Sequence, residues 1–313
     1  MANMRAIRHH SYGGPEVLVL EEVARPEPRA GEVLIRVHAA GVNPLDWKVR
    51  DGHVKAWLEH QLPLIPGWDV SGVVEAAAPD VGAFKVGDAV YGMLDFMRNG
   101  AYAEYVAART SNLALKPKSI DHIQAAAVPL TSLTAWQSLF EVADLQSGQT
   151  ILIHAAAGGV GHFAVQFAKW KQARVIGTAS AGNASFLREL GADEVIDYRT
   201  ARFEEALHEV DVVFDTMGGD IQQRSWQVLR KGGILVATLG ISSPEAAQQR
   251  GVRGEGVMVH PDPDQLTQIA ALIDAGNLKP FVSTVLPLSE AARAQEFSQT
   301  GHTRGKIVLR VPA

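Results

Sequence analysis

The chain has no cysteine. That excludes disulfides, thiolate nucleophiles and every cysteine-based zinc site, and it suits a reducing, cytoplasmic setting. The 11 histidines do not restore a metal site by local spacing, because neither HxxxH nor HExxH occurs. His9 and His10 are adjacent, would point to opposite faces of a strand, and read as ordinary surface. No apolar run is long enough to span a bilayer, and "MANMRAIRHH" lacks the hydrophobic core of a secretory leader. Long basic blocks are absent and the net charge is −5. Neither a membrane nor nucleic acid is therefore expected as the main partner.

What is present describes a globular chain of 313 residues, 47% apolar and 20% charged, a length suited to two domains. The first third carries short β-branched runs, "MRAIRHH", "EVLVLEEV" and "GEVLIRVHAAGVN", parted by the turn signals "GGP" and "RPEPRAG". A small barrel-like sheet domain follows from that pattern. Past "DHIQAAAVPLTSLTAWQSLFEVA", which has helical spacing, apolar strands alternate with amphipathic helices: "TILIH", "RVIGTA", "EVIDY", "DVVFDTM" and "ILVATLG" lead the series. Continuous apolar strands imply a parallel sheet covered on both faces, so this part is predicted to be α/β and doubly wound. "FVSTVLPL", "EAARAQEFSQ" and "GKIVLRV" return to the first domain. The expected division is 1–123 plus 282–313 for the β-rich domain and 124–281 for the inserted domain.

The stretch "TILIHAAAGGVG" (150–161) carries the first chemical signal. Ala155, Gly158 and Gly161 form AxxGxxG after a buried strand and before a helix, the context of a dinucleotide-binding turn. Alanine serves at the first position if its φ stays negative. Gly158 is expected to let backbone approach a pyrophosphate, and Gly161 to let helix and strand pack closely. Ala156, Gly159 and Val160 complete the loop. Free N–H groups and roughly half a positive charge at the helix start would attract phosphate. The helix is expected to bury Val160, Phe163, Ala164, Phe167 and Ala168 on one face.

The second strand ends in Thr178, Ala179 and Ser180, followed by Gly182 and Asn183. The carboxylate that usually binds the ribose diol of NAD is missing, so NADPH is favoured over NADH. Ser180 and Asn183 can donate to a 2′-phosphate or cap the next helix. Tyr198 is placed to reach the same pocket, and Arg199 is a candidate counter-charge.

Taken together, "AAGVNPLDWKVRDG" (39–52), "LPLIPGWDVSGVV" (62–74), "GAYAEYV" (100–106), "VPLTSLTAWQSL" (128–139), "HAAAGGVGHFAVQFAK" (154–169), "LGADEVIDY" (190–198), "FDTMGG" (214–219) and "GKIVLRV" (305–311) resemble the medium-chain dehydrogenase/reductases. Within them the chain is most similar to the zinc-free NADPH:quinone oxidoreductases related to zeta-crystallin. The resemblance spans nearly the whole chain. It implies a Rossmann-type domain inserted in a GroES-like β-rich domain, a homodimer, and substrate bound in the cleft between the domains. It also implies a dimer edge built from "GGILVATLG" and "GVMVHP".

Zinc alcohol dehydrogenases of this class carry cysteine where this chain has Asn43, and "GHE" where it has Gly67, Trp68 and Asp69. No metal is expected, and Asp69 is expected to bond backbone or an arginine. Hydride transfer to a quinone or an α,β-unsaturated carbonyl then needs proximity and modest polarisation. The resemblance puts Asn43 near the nicotinamide, where its amide would polarise the acceptor oxygen or hold the cofactor. Lys48 would donate a hydrogen bond or proton, or stand solvated, and Asp46 would orient its neighbours. Thr134, Thr216 within Asp215–Gly218, Leu239, Gly240 and Ile241 would line the cofactor. Arg304, Gly305 and Lys306 would close over it, with Lys306 as a plain surface charge the alternative. Trp47, Trp57 and Phe96 are candidate aromatic walls. An enoyl-thioester reductase and a non-catalytic NADPH-binding or sensing protein remain the other readings.

Overall fold

The computed structural model describes residues 2–312, and they form two compact units. One unit takes the chain up to Leu130, Pro261–Gly276 and everything from Pro280 onward; the other takes Thr131–His260 and Asn277–Lys279. In chain order the strands of the described residues begin with β1 (Asn3–Arg8), β2 (Val19–Ala24), β3 (Glu32–Val42), β4 (Asp69–Ala77), β5 (Ala89–Met93), β6 (Tyr105–Arg109) and β7 (Leu113–Leu115). They continue with β8 (Thr150–Ile153), β9 (Arg174–Ala179), β10 (Glu194–Asp197), β11 (Val210–Asp215), β12 (Leu229–Ala237) and β13 (Arg253–Gly256), and close with β14 (Val282–Pro287) and β15 (Lys306–Arg310).

The first unit is a β-rich, GroES-like arrangement. β1 and β2 pair antiparallel, and a second sheet runs β14-β15-β3-β4-β5-β7 with β6 also on β3. β3 is its hub. Val33, Ile35 and Ala40 are fully buried there, facing a core that includes Trp68, Val70, Tyr102 and Leu309, while Ala39 packs on the opposite face with Ala126, Ala127 and Val308. β15 comes from the far end of the chain yet pairs with β3 from Val42↔Ile307 to Ala39↔Arg310. That register delivers Lys306 to the end of β3, beside Asn43. The helix Pro263–Asp274, expected with the inserted domain, belongs to this unit: Tyr91 Oη donates to the Leu266 carbonyl at 2.6 Å.

The second unit holds a parallel sheet in the order β10-β9-β8-β11-β12-β13. Numbered within the unit this is 3-2-1-4-5-6, the doubly wound order whose reversal point lies between β8 and β11. Ile151, Leu152, Ile153, Val213 and Phe214 are fully buried, as continuous apolar strands under a double cover require. The helix Gly161–Trp170 differs from the one-faced expectation. Val160 is half-buried at the N-cap, whereas every residue from Gly161 to Ala168 is buried. Gln166 explains the polar side of this cover, since its amide donates to the Lys279 carbonyl at 3.1 Å and accepts the Lys279 N–H at 2.8 Å.

Three other elements differ from the sequence pattern. The long helical stretch after Asp121 breaks into His122–Ala126, Pro129–Trp136 and a π-helical turn over Gln137–Val142, because Pro129 cannot continue the ladder. The helix after β11 stops at Ser225, and Leu229 and Arg230 already belong to β12. The outer strand is Arg253–Gly256 rather than "GVMVHP".

Candidate active site

β3 ends at Val42, and Asn43 caps the helix Pro44–Arg50 with its backbone extended (φ −126°, ψ 153°). The cap N–H is taken by Asp46 Oδ2 at 2.9 Å. The Asn43 side chain is 1% exposed and held on both ends. Its Nδ2 donates to Asp69 Oδ2 at 2.9 Å, and its Oδ1 accepts from Lys306 Nζ at 2.5 Å. Lys306 spends its other donors on the Val42 carbonyl at 2.9 Å and on Asp69 Oδ2 at 3.2 Å. Asp69 Oδ1 accepts the Leu130 N–H at 2.7 Å. Lys306 is therefore neither a surface charge nor a lid over a cofactor. It is a buried ammonium, 3% exposed, and it takes the cation's place beside Asp69 that an arginine was expected to fill. Burial is affordable for the pair because each charge has its counter-ion and further hydrogen bonds.

Asp46 lies under this cluster, fully buried. Its Oδ2 also accepts the Tyr102 hydroxyl at 2.7 Å, while its Oδ1 has no partner. Burial pushes the Asp46 carboxyl up to about 7, against the pull of the Asn43 N–H, Tyr102 and Lys306. Lys48, two residues further along the same helix, is half-buried. Its amine sits 5.6 Å from the centroid of the Trp47 ring, and burial lowers its pKa. Of the proposed aromatic walls, Trp57 is exposed, and Phe96 packs edge-on against Trp68 at 5.8 Å. His9, expected at the surface, is fully buried and donates from Nδ1 to the Ser11 carbonyl, while His10 faces out toward Glu21.

In the second unit the glycine loop follows β8 as the pattern requires, with one correction. Ala155 takes φ +48° rather than a negative value. In the turn that follows, the Gly158 N–H donates to the Ala155 carbonyl at 2.9 Å, and a left-handed non-glycine costs roughly 1 kcal/mol. A Cβ on Gly161 would lie 2.4 Å from the Ala155 oxygen and 2.7 Å from Ala156 Cα, so helix and loop do pack at glycine distance. A Cβ on Gly158 would meet just the Ala155 oxygen, at 3.2 Å. Gly158, Gly159 and Val160 are half-buried, while Ala156 is fully buried. The small-residue turn, its outward Gly158 and a ten-residue helix behind it fit a pyrophosphate.

Thr178, a candidate cofactor contact at the end of β9, is buried and turned toward His154. Ser225 Oγ donates to the Ile221 carbonyl at 2.7 Å, so it accepts from His154 Nε2 at 2.8 Å. His154 Nδ1 is then the acceptor, and the Thr178 hydroxyl gives its proton to it at 3.1 Å. Thr178 has no proton left for a phosphate. Burial lowers His154 to about 4, so the imidazole is neutral in this relay. The rim past β9 is open by contrast. Ser180 accepts from Asn183 Nδ2 at 3.2 Å. Parallel pairing sets Asp197 beside Ala179 and brings half-exposed Tyr198 and exposed Arg199 alongside Ser180.

Thr216 Oγ1 reaches the His154 carbonyl at 3.3 Å, which ties the end of β11 to the glycine loop. Leu239 and Gly240 are exposed after β12, with Ile241 half-buried. Thr134 is buried in the helix Pro129–Trp136. In the first unit Arg304 is half-buried, and Gly305 is fixed by its own turn: φ is +59°, and a Cβ would lie 2.3 Å from the Phe281 oxygen. Sequence reading missed Tyr102, His154 and Gln222. Gln222 Nε2 donates to Asp215 Oδ2 and the Gly240 carbonyl at 3.1 and 2.9 Å, joining two strand ends. No local pattern marks any of the three, whose partners lie between 7 and 71 residues away.

A GroES-like β-rich unit and a 3-2-1-4-5-6 nucleotide-type sheet in one chain define the medium-chain dehydrogenase/reductase class. Residues 29–118 match the alcohol dehydrogenase GroES-like domain, and residues 190–309 match the zinc-binding dehydrogenase family. The chain is 34% identical to the pig (Sus scrofa) quinone oxidoreductase, covering 98% of this chain and 97% of that one. It is 37% identical to the chloroplastic NADPH-dependent alkenal/one oxidoreductase of Arabidopsis thaliana, covering 98% and 79%. The solved quinone oxidoreductase of Coxiella burnetii superposes with a TM-score of 0.93 at 37% identity, covering 99% and 100%. The chain belongs to the quinone oxidoreductase family of the medium-chain dehydrogenase/reductases.

The zinc in the matched family's description finds little to bind here. Among the described residues no group of three or more His, Cys, Asp and Glu is placed to hold a metal ion. At the expected ligand positions stand an amide, an indole and a carboxylate, and the amide and the carboxylate already share the Lys306 ammonium. That donor set does not fit zinc. Among the described residues no helix is long and apolar enough to cross a membrane.

Proposed function

We propose that this chain is a zinc-independent, NADPH-dependent reductase of quinones or α,β-unsaturated carbonyl compounds. The observation that carries the reading is the Lys306 ammonium bonded to Asn43 and Asp69, where zinc-bearing members of the class keep ligands. An acceptor that is electrophilic by itself needs no Lewis acid. The names of the relatives above, quinone and alkenal/one oxidoreductases, support the same substrate class.

NADPH, when bound, supplies the hydride. The chain's own residues then have separable tasks. Gly158, Gly159, Val160 and the first N–H groups of the helix Gly161–Trp170 would hold the pyrophosphate. Ser180, Tyr198 and Arg199 would receive a 2′-phosphate, and no carboxylate stands in Ser180–Asn183 to repel it. Asn43 would donate an amide N–H to the acceptor oxygen as negative charge builds there. Lys48, its amine made less basic by burial, would return a proton to the product.

The test is oxidation of NADPH against a quinone panel and an enone panel, with NADH in parallel. Turnover with at least one panel and a preference for NADPH are expected. Tight NADPH binding with no turnover on either panel would leave a binding protein instead. We further propose a homodimer formed through β13, the outermost strand of the parallel sheet, which exposes backbone over Arg253–Gly256. Light scattering after size exclusion is expected to give twice the 33.6 kDa chain mass; a monomer mass at micromolar protein would reject this arrangement.

A further inference from the structure

The amide of Asn43 has two possible orientations, and its neighbours permit one. Lys306 Nζ can only donate, and the Asp69 carboxylate can only accept. Turning the amide over would set NH₂ against ammonium and carbonyl against carboxylate. In the observed orientation Oδ1 is committed to Lys306 and one Nδ2 hydrogen to Asp69. Among the described residues the second Nδ2 hydrogen has no partner. It is a buried donor with a fixed direction, of the kind preorganised sites aim at developing charge.

Lys306 does more than select the orientation. An ammonium 2.5 Å from Oδ1 draws electron density toward the oxygen, which weights the amide toward its C–O⁻/C=N⁺ form and makes both N–H bonds better donors. All three Lys306 donors are occupied, by Val42, Asn43 and Asp69, so the ammonium itself has none to give a substrate.

We propose that Lys306 is a positioning residue for the reduction, locking and polarising the Asn43 amide so that its one uncommitted N–H is held for the acceptor oxygen. The inference rests on the reading of Asn43 given under the proposed function. It assigns the electrophilic role of a metal to a cation acting through an amide, with no bond formed to either residue.

A double-mutant cycle tests it. Lys306→Met leaves Asp69 a buried lone charge, so the charge-balanced Asp69→Asn/Lys306→Met variant is measured with it, each with a melting temperature. Both variants are expected to lose about 10-fold or more in kcat while KM for NADPH stays within about 3-fold, since a lost oxyanion donor acts on the transition state. In an Asn43→Ala background the same changes are expected to cost nothing further. A second readout needs no turnover: the carbonyl stretch of 2-cyclohexen-1-one bound with NADP⁺ is expected to be red-shifted in the wild type, and unshifted in Asn43→Ala and in both Lys306 variants. Additive losses in the Asn43→Ala background, full kcat in the charge-balanced variant, or an unchanged stretch would overturn the proposal while the reductase reading stands. A wild type that turns over no quinone or enone overturns both.

Discussion

Gly161→Val is expected to cost about 3 kcal/mol or more of stability, because the clash is with backbone that has nowhere to go. A Cβ there would sit 2.4 Å from the Ala155 oxygen, 2.7 Å from Ala156 Cα and 2.8 Å from Ala156 C. The helix that would have to retreat is buried from Gly161 to Ala168, with Phe163 and Phe167 fully covered. Its displacement would open the packing of β8 and β9. Gly158→Ala is the companion variant. Its Cβ would meet the Ala155 oxygen at 3.2 Å and otherwise open space, so its melting temperature is expected to stay near the wild type. If the loop holds pyrophosphate, that methyl occupies the ligand's approach, and NADPH affinity should fall about 10-fold or more, about 1.4 kcal/mol. Fluorescence titration of NADPH and thermal melts of the two variants separate packing from binding. Wild-type affinity in Gly158→Ala would mean that the phosphates lie elsewhere.

The second large effect is a pH dependence. In the unfolded chain Asp46 ionises near its ordinary value of 3.8, whereas in the folded chain its proton stays on up to about 7. Between those limits the native state binds more protons than the unfolded state, so this group lowers stability as pH rises. The slope is about 1.4 kcal/mol per pH unit over roughly three units, for about 4 kcal/mol in all, and it levels off above the folded value. Asp46→Asn has no proton to lose. Its stability relative to the wild type is expected to improve steadily from pH 4 to pH 7. His154 and His122, both lowered to about 4 mainly by burial, act the other way. Between about 4 and 6.5 the unfolded state binds their protons and the native state does not, so stability grows with pH there. Their contribution is common to both proteins and cancels in the difference. Denaturant melts at half-unit pH steps measure it, and parallel curves for the two proteins would show that Asp46 is ionised throughout.

The features legible in the sequence were those written in neighbouring residues. "TILIHAAAGGVG" states a strand, a small-residue turn and a helix start within twelve positions, and the parallel array follows from apolar runs at regular intervals. Gly161 was assigned its packing role from position alone, and the structure gives that role a distance. What stayed hidden depends on pairs far apart in the chain. Lys306 looks like any lysine near a terminus until β15 is laid against β3, which sets its amine on Asn43, 263 residues earlier. Thr178 looks like one more candidate cofactor contact at the end of the second strand until His154, 24 residues before it, takes up its hydroxyl. The left-handed Ala155 departs from the negative φ expected of it, at a cost of roughly 1 kcal/mol that the sequence does not announce.

The late arrival of β15 has a consequence for biosynthesis. Asn43 and Asp69 leave the ribosome early, and their cation follows only after the whole second unit has been made. At ordinary translation speeds of about 5–20 residues per second, the wait lasts roughly 13–50 s. Throughout it the carboxylate of Asp69 lacks the Lys306 ammonium, and β3, paired with β4 on one edge, lacks β15 on the other along Ala39–Val42. The centre can therefore close only once β15 has emerged, so the emergence of that strand, rather than of the earlier strands of the first unit, sets when Asn43, Asp69 and Lys306 come together.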